Sequence, residues 1–395
     1  MATMREEAIQ FLSNMSIFAT TVFIPIISLY VGASAFETAM IVVAYNTAVF
    51  LSNYVCGRGA DIYGRRGFLL GGLLLSAFAF AGHMLINNIV TLTVIRILTG
   101  IAVGMWGPAM LTYIFEAKKA VGKIMGFGGL GWGTGIFITG LLAIYWSTRD
   151  LYVRMFLVST VGLFVAFIIA TTLPKLEEVK HKIPLFPLAV IKKSYPAYLA
   201  VVIRHTGATG VWVLLPIYLK HDLGFSETVI GYIYASNAFI QFIVMWFSDK
   251  FPSKTSITIG LVISVISFFF FPWASAPWHW AALFILIGGA WSLLYVGSTV
   301  YVMERNVERA TANGLLQGST NLAGITGPLI GGLLAGFLPF VYNFYVATVL
   351  CVVALVVFVA TAKTVEEEAH GKRPKKVKID EGPNPHMPPE QDTGY

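Results

Sequence analysis

The sequence predicts an all-α membrane protein with twelve transmembrane helices in two pseudo-symmetric six-helix bundles. Three observations predict it. The 395 residues are 56% hydrophobic and only 12% charged, with a mean hydropathy of +0.74. A soluble domain carries about 25% charged residues, and a disordered chain needs low hydrophobicity and high charge, so both classes are excluded. Apolar segments of the roughly 20 residues that cross a bilayer recur along the chain, and the second half repeats the pattern of the first.

The expected spans are 8–31, 36–56, 67–86, 90–115, 122–144, 152–173, 195–219, 226–248, 255–274, 278–303, 312–337 and 340–362. Charges and turn residues fill the breaks. Ala33-Ser34-Ala35 behind span 1 resembles a signal-cleavage site, but the apolar core before it is too long for a signal peptide. Span 2 runs into the Gly57–Arg66 segment, and span 4 into Glu116 with Lys118 and Lys119. Span 6 stops at Pro174, span 8 at Asp249-Lys250, span 10 at Glu304-Arg305 and span 12 at Lys363. The longest polar break, Pro174 to Ser194, divides the chain. The expected organisation is an N-terminal bundle (1–173), a cytoplasmic linker (174–194), a C-terminal bundle (195–362) and a solvated, disordered cytoplasmic tail (363–395), rich in Glu, Lys and Pro.

The net charge of +7 follows from 27 Lys and Arg against 20 Asp and Glu. With the N-terminus inside, 22 basic residues fall on the cytoplasmic side and three, Arg149, Arg154 and Lys220, outside. Arg96 and Arg204 lie within spans. Cytoplasmic loops are enriched in Lys and Arg, so both termini are expected to be cytoplasmic, and the basic balance calls for no nucleic-acid partner. Cys56 and Cys351 stand far apart in apolar stretches, with neither disulfide nor metal spacing.

An offset of 188 residues lays Asp61 on Asp249, Gly100 on Gly288, Glu116 on Glu304 and Gly126 on Gly314. At 191, Asn46 falls on Asn237. Acidic residues are few, so two acidic coincidences point to a true repeat. Parallel six-helix repeats suggest a transporter with its site between the halves.

Between spans 2 and 3 the chain reads Gly57-Arg58-Gly59-Ala60-Asp61-Ile62-Tyr63-Gly64-Arg65-Arg66. This resembles the cytoplasmic loop signature of the major facilitator superfamily: a Gly, an Asp three residues on, a Gly three further, then two basic residues. With the spans and the repeat, the resemblance covers residues 1 to about 362. It implies alternating access, with the signature Asp meeting the start of span 11, here Thr311 to Gly314, to latch the cytoplasmic gate. The symmetric latch would set Asp249 against the start of span 5 near Gly122. The second copy, Ser248-Asp249-Lys250, keeps the acid and loses the Gly-Arg-Arg end. Glycines permit tight turns and close helix approach, and an aspartate at a helix N-terminus gains roughly 0.3–1 kcal/mol. The expected gating set is Gly57, Asp61, Gly64, Arg65, Arg66, Glu116, Asp249 and Glu304.

Arg96 precedes Gly100 and Gly104 in span 4, a pattern that resembles the family's span 4 motif. A charge within a span marks a functional site by default, whereas the plainer alternative is an arginine that snorkels to the interface. Gly126-Phe127-Gly128-Gly129-Leu130-Gly131 matches a dinucleotide fingerprint by letters only, with no strand before it; helix packing accounts for it. Gly324-Ile325-Thr326-Gly327-Pro328-Leu329-Ile330-Gly331-Gly332 resembles the Gly-Pro-Gly-Gly element that exporters of the superfamily carry in span 5, displaced here to span 11.

No Asp or Glu lies well inside a span. Proton carriers at depth would have to be His83 or His205, since histidine titrates near neutrality. The expected substrate-binding set is Asn14, Asn46, Arg96, Arg204, His205, Tyr234, Asn237, Gln241, Trp291, Tyr295, Gln317 and Asn321. Tyr234, Asn237 and Gln241 share a helix face by spacing, as do Gln317 and Asn321. Each of these could instead hydrogen-bond a neighbouring helix. Trp278 and Trp280 read as interface anchors.

The function expected is secondary transport of a small organic solute by alternating access, with drug or metabolite efflux preferred for the Gly-Pro-Gly-Gly element and the short loops. Uptake of an organic anion is the alternative, favoured by two intramembrane arginines with no acid. A non-transporting receptor or scaffold on the same fold is the alternative of another class. No His/Cys/Asp cluster, nucleophile elbow or phosphate loop supports an enzyme, a metal or a cofactor. The expected partners are the substrate, a proton as coupling ion and the bilayer, with the protein a monomer.

Overall fold

The computed structural model describes residues 4–21, 24–33, 35–142, 148–176 and 183–371. Helices fall on every predicted span. In the first half they are α1 (Arg5–Thr21), α2 (Ile24–Tyr30), α3 (Ala35–Tyr63), α4 (Arg65–Gly82), α5 (Ile89–Glu116), α6 (Val121–Leu142) and α7 (Thr148–Thr171). In the second they are α8 (Leu188–Trp212), α9 (Leu215–His221), α10 (Glu227–Ser248), α11 (Ser253–Phe270), α12 (Pro277–Arg305), α13 (Arg309–Phe337) and α14 (Val341–Gly371). Among the described residues, nine of these helices are long and apolar enough to cross a membrane. The other three predicted spans fall on α1–α2, α6 and α8–α9. The break between α8 and α9 precedes Pro216, which has no N–H to continue the helical ladder.

The repeat is explicit in the packing. In the first half α1 packs on α6 and α7, α5 on α3 and α4, and α4 on α7. In the second, α8 packs on α13 and α14, α12 on α10 and α11, and α11 on α14. These are the same five pairings. Across the halves α3 meets α13 and α6 meets α10, which is span 2 on span 11 and span 5 on span 8. Large apolar side chains point outward, for example Leu157, Val161, Phe164 and Ile168 on α7 and Val349, Val353 and Val356 on α14. That is the surface a lipid solvent requires, since lipid tails are as apolar as the side chains they touch.

Several sequence boundaries move. Span 2 was expected to end at 56, but α3 continues to Tyr63, so Gly57 to Asp61 is helical. Gly64 alone joins α3 to α4, at φ 114°, a conformation open to glycine and costly for any L side chain. Gly57 is therefore a contact residue and makes no turn. Its missing Cβ would sit 2.5 Å from the Ala310 carbonyl oxygen on α13. The linker is partly helical, since α8 starts at Leu188. The helix of span 12 extends past 362 to Gly371, and the rest of the tail lies outside the described residues.

The glycine-rich segments are packing surfaces. Gly100 and Gly104 lie against Tyr45, Ala48 and Ser52 of α3. Gly131 and Gly135 lie against the α1 backbone at Phe11 and Met15, and Gly327 and Gly331 against α8 at Gly210. Trp280 is no interface anchor. It is fully buried among Phe271, Phe284 and Phe344, and its Nε1 donates to the Ala274 carbonyl. Trp278 is 70% exposed.

Candidate functional site

Where the halves meet, two helices begin without a capping side chain of their own. At α13, Glu308 precedes the first turn and makes no side-chain cap. Asp61, only 2% exposed at the end of α3, fills that role from the other half. Its carboxylate accepts from the backbone N–H groups of Ala310 (3.2 Å) and Thr311 (2.7 Å) and from the Thr311 hydroxyl (2.7 Å). These N2 and N3 N–H groups are the ones a local N-cap would satisfy. At α6 the geometry recurs: Asp249 accepts from Gly122 N–H (2.9 Å) and Lys123 N–H (3.1 Å), again N2 and N3.

Behind Asp61 runs a charged circuit. Arg65 donates to Asp61 (3.2 Å) and to Glu116 (2.5 Å), and Glu116 accepts from Arg309 (3.0 Å) at the first residue of α13. The circuit leaves α13 at Thr311 and returns to it at Arg309. In the second half, Ser253 replaces the arginine and donates to Glu304 at 2.9 Å. A hydroxyl carries no charge, and among the described residues Ser253 does not join Asp249 to Glu304 as Arg65 joins Asp61 to Glu116. Arg66 belongs elsewhere: it donates to the carbonyls of Thr171 (2.6 Å) and Leu173 (2.9 Å) at the end of α7, where a cation offsets the negative helix end.

Glycines let the helices close above these caps. A Cβ on Gly314 would overlap the Asn53 carbonyl, and one on Gly122 would overlap Ser248 Oγ. Tyr54 and Arg58 of α3 donate to the backbone carbonyls of the linker segment Ile183–Leu185.

Beyond this seal lies a cavity of about 610 Å³ between the halves. Eleven predicted binding residues line it: Asn14, Asn46, Arg204, His205, Tyr234, Asn237, Gln241, Trp291, Tyr295, Gln317 and Asn321. Arg96 does not. It is 4% exposed, with its guanidinium 3.8 Å from the Tyr45 ring centroid. The four-residue helical spacing that made Arg96 visible sets it against α3, within the first bundle. His83 is likewise inside that bundle, fully buried and stacked on Phe156. Lining residues that the sequence reading missed include Gln10, Phe18, Trp106, Trp132, Trp212 and Phe284. The tryptophans carried no distinguishing sequence signal, because Trp in a span reads equally as interface anchor or core.

The lining is aromatic and amide. Gln241 donates to Asn237 Oδ1 (2.6 Å), and Asn237 donates to the Phe284 carbonyl (2.9 Å). Rings of His205, Trp291 and Tyr295 form a column, with centroids 4.4 and 5.0 Å apart. No Asp or Glu is among the lining residues. No group of His, Cys, Asp or Glu among the described residues could hold a metal.

The Major Facilitator Superfamily model matches residues 8–192 and 197–386. The tetracycline resistance protein, class B, of Escherichia coli is 24% identical over 69% of this chain and 73% of its own length. The multi-drug resistance efflux pump PmrA of Streptococcus pneumoniae is 25% identical over 87% of this chain and 91% of its own. A bacterial homologue of the iron transporter ferroportin, solved in an outward-facing state, superposes with a TM-score of 0.76 at 14% identity, over 91% of this chain and 98% of that one. The human organic anion transporter MFSD10 superposes with a TM-score of 0.74 at 14% identity, over 90% and 98%. With helix pairings repeated between two bundles, a cavity at their junction and a family match across both, the chain is a multi-pass membrane transporter that belongs to the Major Facilitator Superfamily.

Proposed function

We propose that the protein exports an aromatic, drug-like organic solute from the cell by alternating access. The observation that carries this reading is the cavity itself: about 610 Å³, walled by aromatic and amide side chains and closed on the signature-motif side. Such a site suits a ligand of drug size, with apolar walls for burial and a few polar groups for orientation. The names of the relatives, a tetracycline resistance protein and multidrug pumps, support the direction of transport.

In this reading the motif face is cytoplasmic and both termini lie there, supported by the placement of 22 of 27 basic residues. The structure then represents the conformer with the cytoplasmic gate shut. Gly57, Asp61, Gly64, Arg65, Glu116 and Asp249 hold that gate, and Arg66 and Glu304 brace its margins. The two bundles, 1–173 and 195–362, rock about the cavity. The carrier acts as a monomer and is driven by protons, with His205 as the titratable group that lines the path.

The test is transport in everted membrane vesicles energised by respiration. Accumulation of a fluorescent aromatic antibiotic in vesicles bearing the protein, beyond vesicles that lack it, is expected. Equal accumulation in the two would sink the export reading.

A further inference from the structure

We propose that the cavity is built for an anionic aromatic solute, whose acid group is taken by Arg204 and His205; this rests on the export reading above. Arg204 is 1% exposed and lines the cavity from α8. A buried charge is costly unless it is paired, yet among the described residues Arg204 makes no ion pair with a carboxylate. Its Nε donates to Ser264 Oγ at 3.0 Å, and its Nη2 finds no hydrogen-bond acceptor. The guanidinium carbon lies 5.3 Å from the Trp291 ring centroid and 5.9 Å from that of Phe268. These rings hold the cation without neutralising it.

The neighbouring side chain repeats the pattern. His205 also lines the cavity, stacks on Trp291, and leaves Nδ1 buried without a partner. Two adjacent side chains thus each leave a nitrogen without a partner beside a cavity that has no carboxylate. A ligand acid group supplies the acceptor that the buried cation lacks, and accepts from the imidazole when Nδ1 carries the proton. Arg binds carboxylates with a planar pair of N–H donors. The Trp291–Tyr295 stack beside it offers faces for an aromatic ring. The site therefore selects a planar ring bearing a carboxylate or sulfonate, over a neutral ring of the same shape. Inorganic anion alone, chloride for example, is the competing source of the same charge.

Binding to the purified full chain decides this apart from transport. The probes are 2-naphthoate, its neutral amide 2-naphthamide, and sodium chloride against sodium gluconate. We expect naphthoate to bind at least tenfold tighter than the amide. Arg204→Gln should lower naphthoate affinity about thirtyfold while changing amide affinity less than threefold. Ser264→Ala, which keeps the charge and frees Nε, should leave naphthoate binding within a few-fold and serves if Arg204→Gln fails to fold. His205→Gln should lower naphthoate affinity less than Arg204→Gln. Equal affinity for acid and amide overturns the proposal, as does naphthoate binding that survives Arg204→Gln or is lost wholly in Ser264→Ala. Tight chloride binding that naphthoate cannot displace overturns it in favour of a resident inorganic anion. Export failing in vesicles while naphthoate binds by these rules would remove the export reading and leave the site; export of neutral antibiotics without naphthoate binding would do the reverse.

Discussion

Replacing Asp61 by asparagine keeps the size of the side chain and removes its charge. In the structure the carboxylate uses both oxygens: Oδ1 takes the Ala310 N–H and Arg65, and Oδ2 takes the Thr311 N–H and hydroxyl. Asparagine retains one acceptor and turns an amide N–H₂ toward the other N–H, where two donors face each other. The lost interaction of the charge with the α13 terminus is worth up to about 2 kcal/mol in a partly buried setting. A hydrogen bond to a charged group adds roughly 1.5–3 kcal/mol. Arg65 keeps Glu116, which limits the damage. The closed conformer should therefore lose about 2–4 kcal/mol relative to the open one, a shift of roughly thirty- to a thousandfold in their ratio. The assay is labelling of a cysteine at Thr320, which lines the cavity, by an impermeant maleimide added from the motif side. Labelling should accelerate by at least about thirtyfold in Asp61→Asn, and turnover should fall because one half of the cycle is disfavoured. An unchanged labelling rate in a folded variant would refute the latch.

Asp249 is more exposed than Asp61 and makes two bonds with no arginine behind them, so Asp249→Asn should raise motif-side labelling by less than about tenfold, consistent with about 1 kcal/mol or less for an exposed helix-end charge. Gly57→Ala places a methyl group against the Ala310 carbonyl and should open the gate by about 1–3 kcal/mol; motif-side labelling of a cysteine at Thr320 should accelerate in that variant, and an unchanged rate would count against it. Thr311→Ala should weaken closure by about 1 kcal/mol and by much less once Asp61 is already Asn, because the two share one contact; additive labelling rates would contradict that coupling. Protease added to sealed right-side-out vesicles should spare the segment after Lys363, and its rapid loss would invert the topology.

Much of the fold was legible because a bilayer makes hydropathy almost sufficient: every predicted apolar segment is occupied by helix. The ends were less legible. Arg58 and Asp61 look like a loop by polarity, yet they are helical and their polar groups are met by the linker and by the start of α13. In the cavity, Asn237 and Gln241 could be found from spacing, since amides are rare enough in spans to stand out. Arg96 was equally conspicuous and lies outside the cavity, because residue type reveals a buried charge without saying which neighbour it faces. Trp106, Trp132 and Trp212 were invisible for the opposite reason: apolar side chains lining a cavity carry the same letters as those filling a core.

The two crossed caps amount to a reciprocal exchange. Each bundle lends an aspartate to the other and borrows one in return, span 2 on span 11 and span 5 on span 8. A two-fold axis between identical subunits produces that relation, residue i on j and j on i. In such a dimer every substitution would strike both contacts at once. Joined in one chain, the contacts are free to differ, and here they do: one side keeps arginine at position 65 and the other has serine at 253. The consequence is a pair of unequal jaws: the α3–α13 seam holds a cap tied into a charged circuit through Arg65, and the α6–α10 seam holds a cap beside a neutral serine.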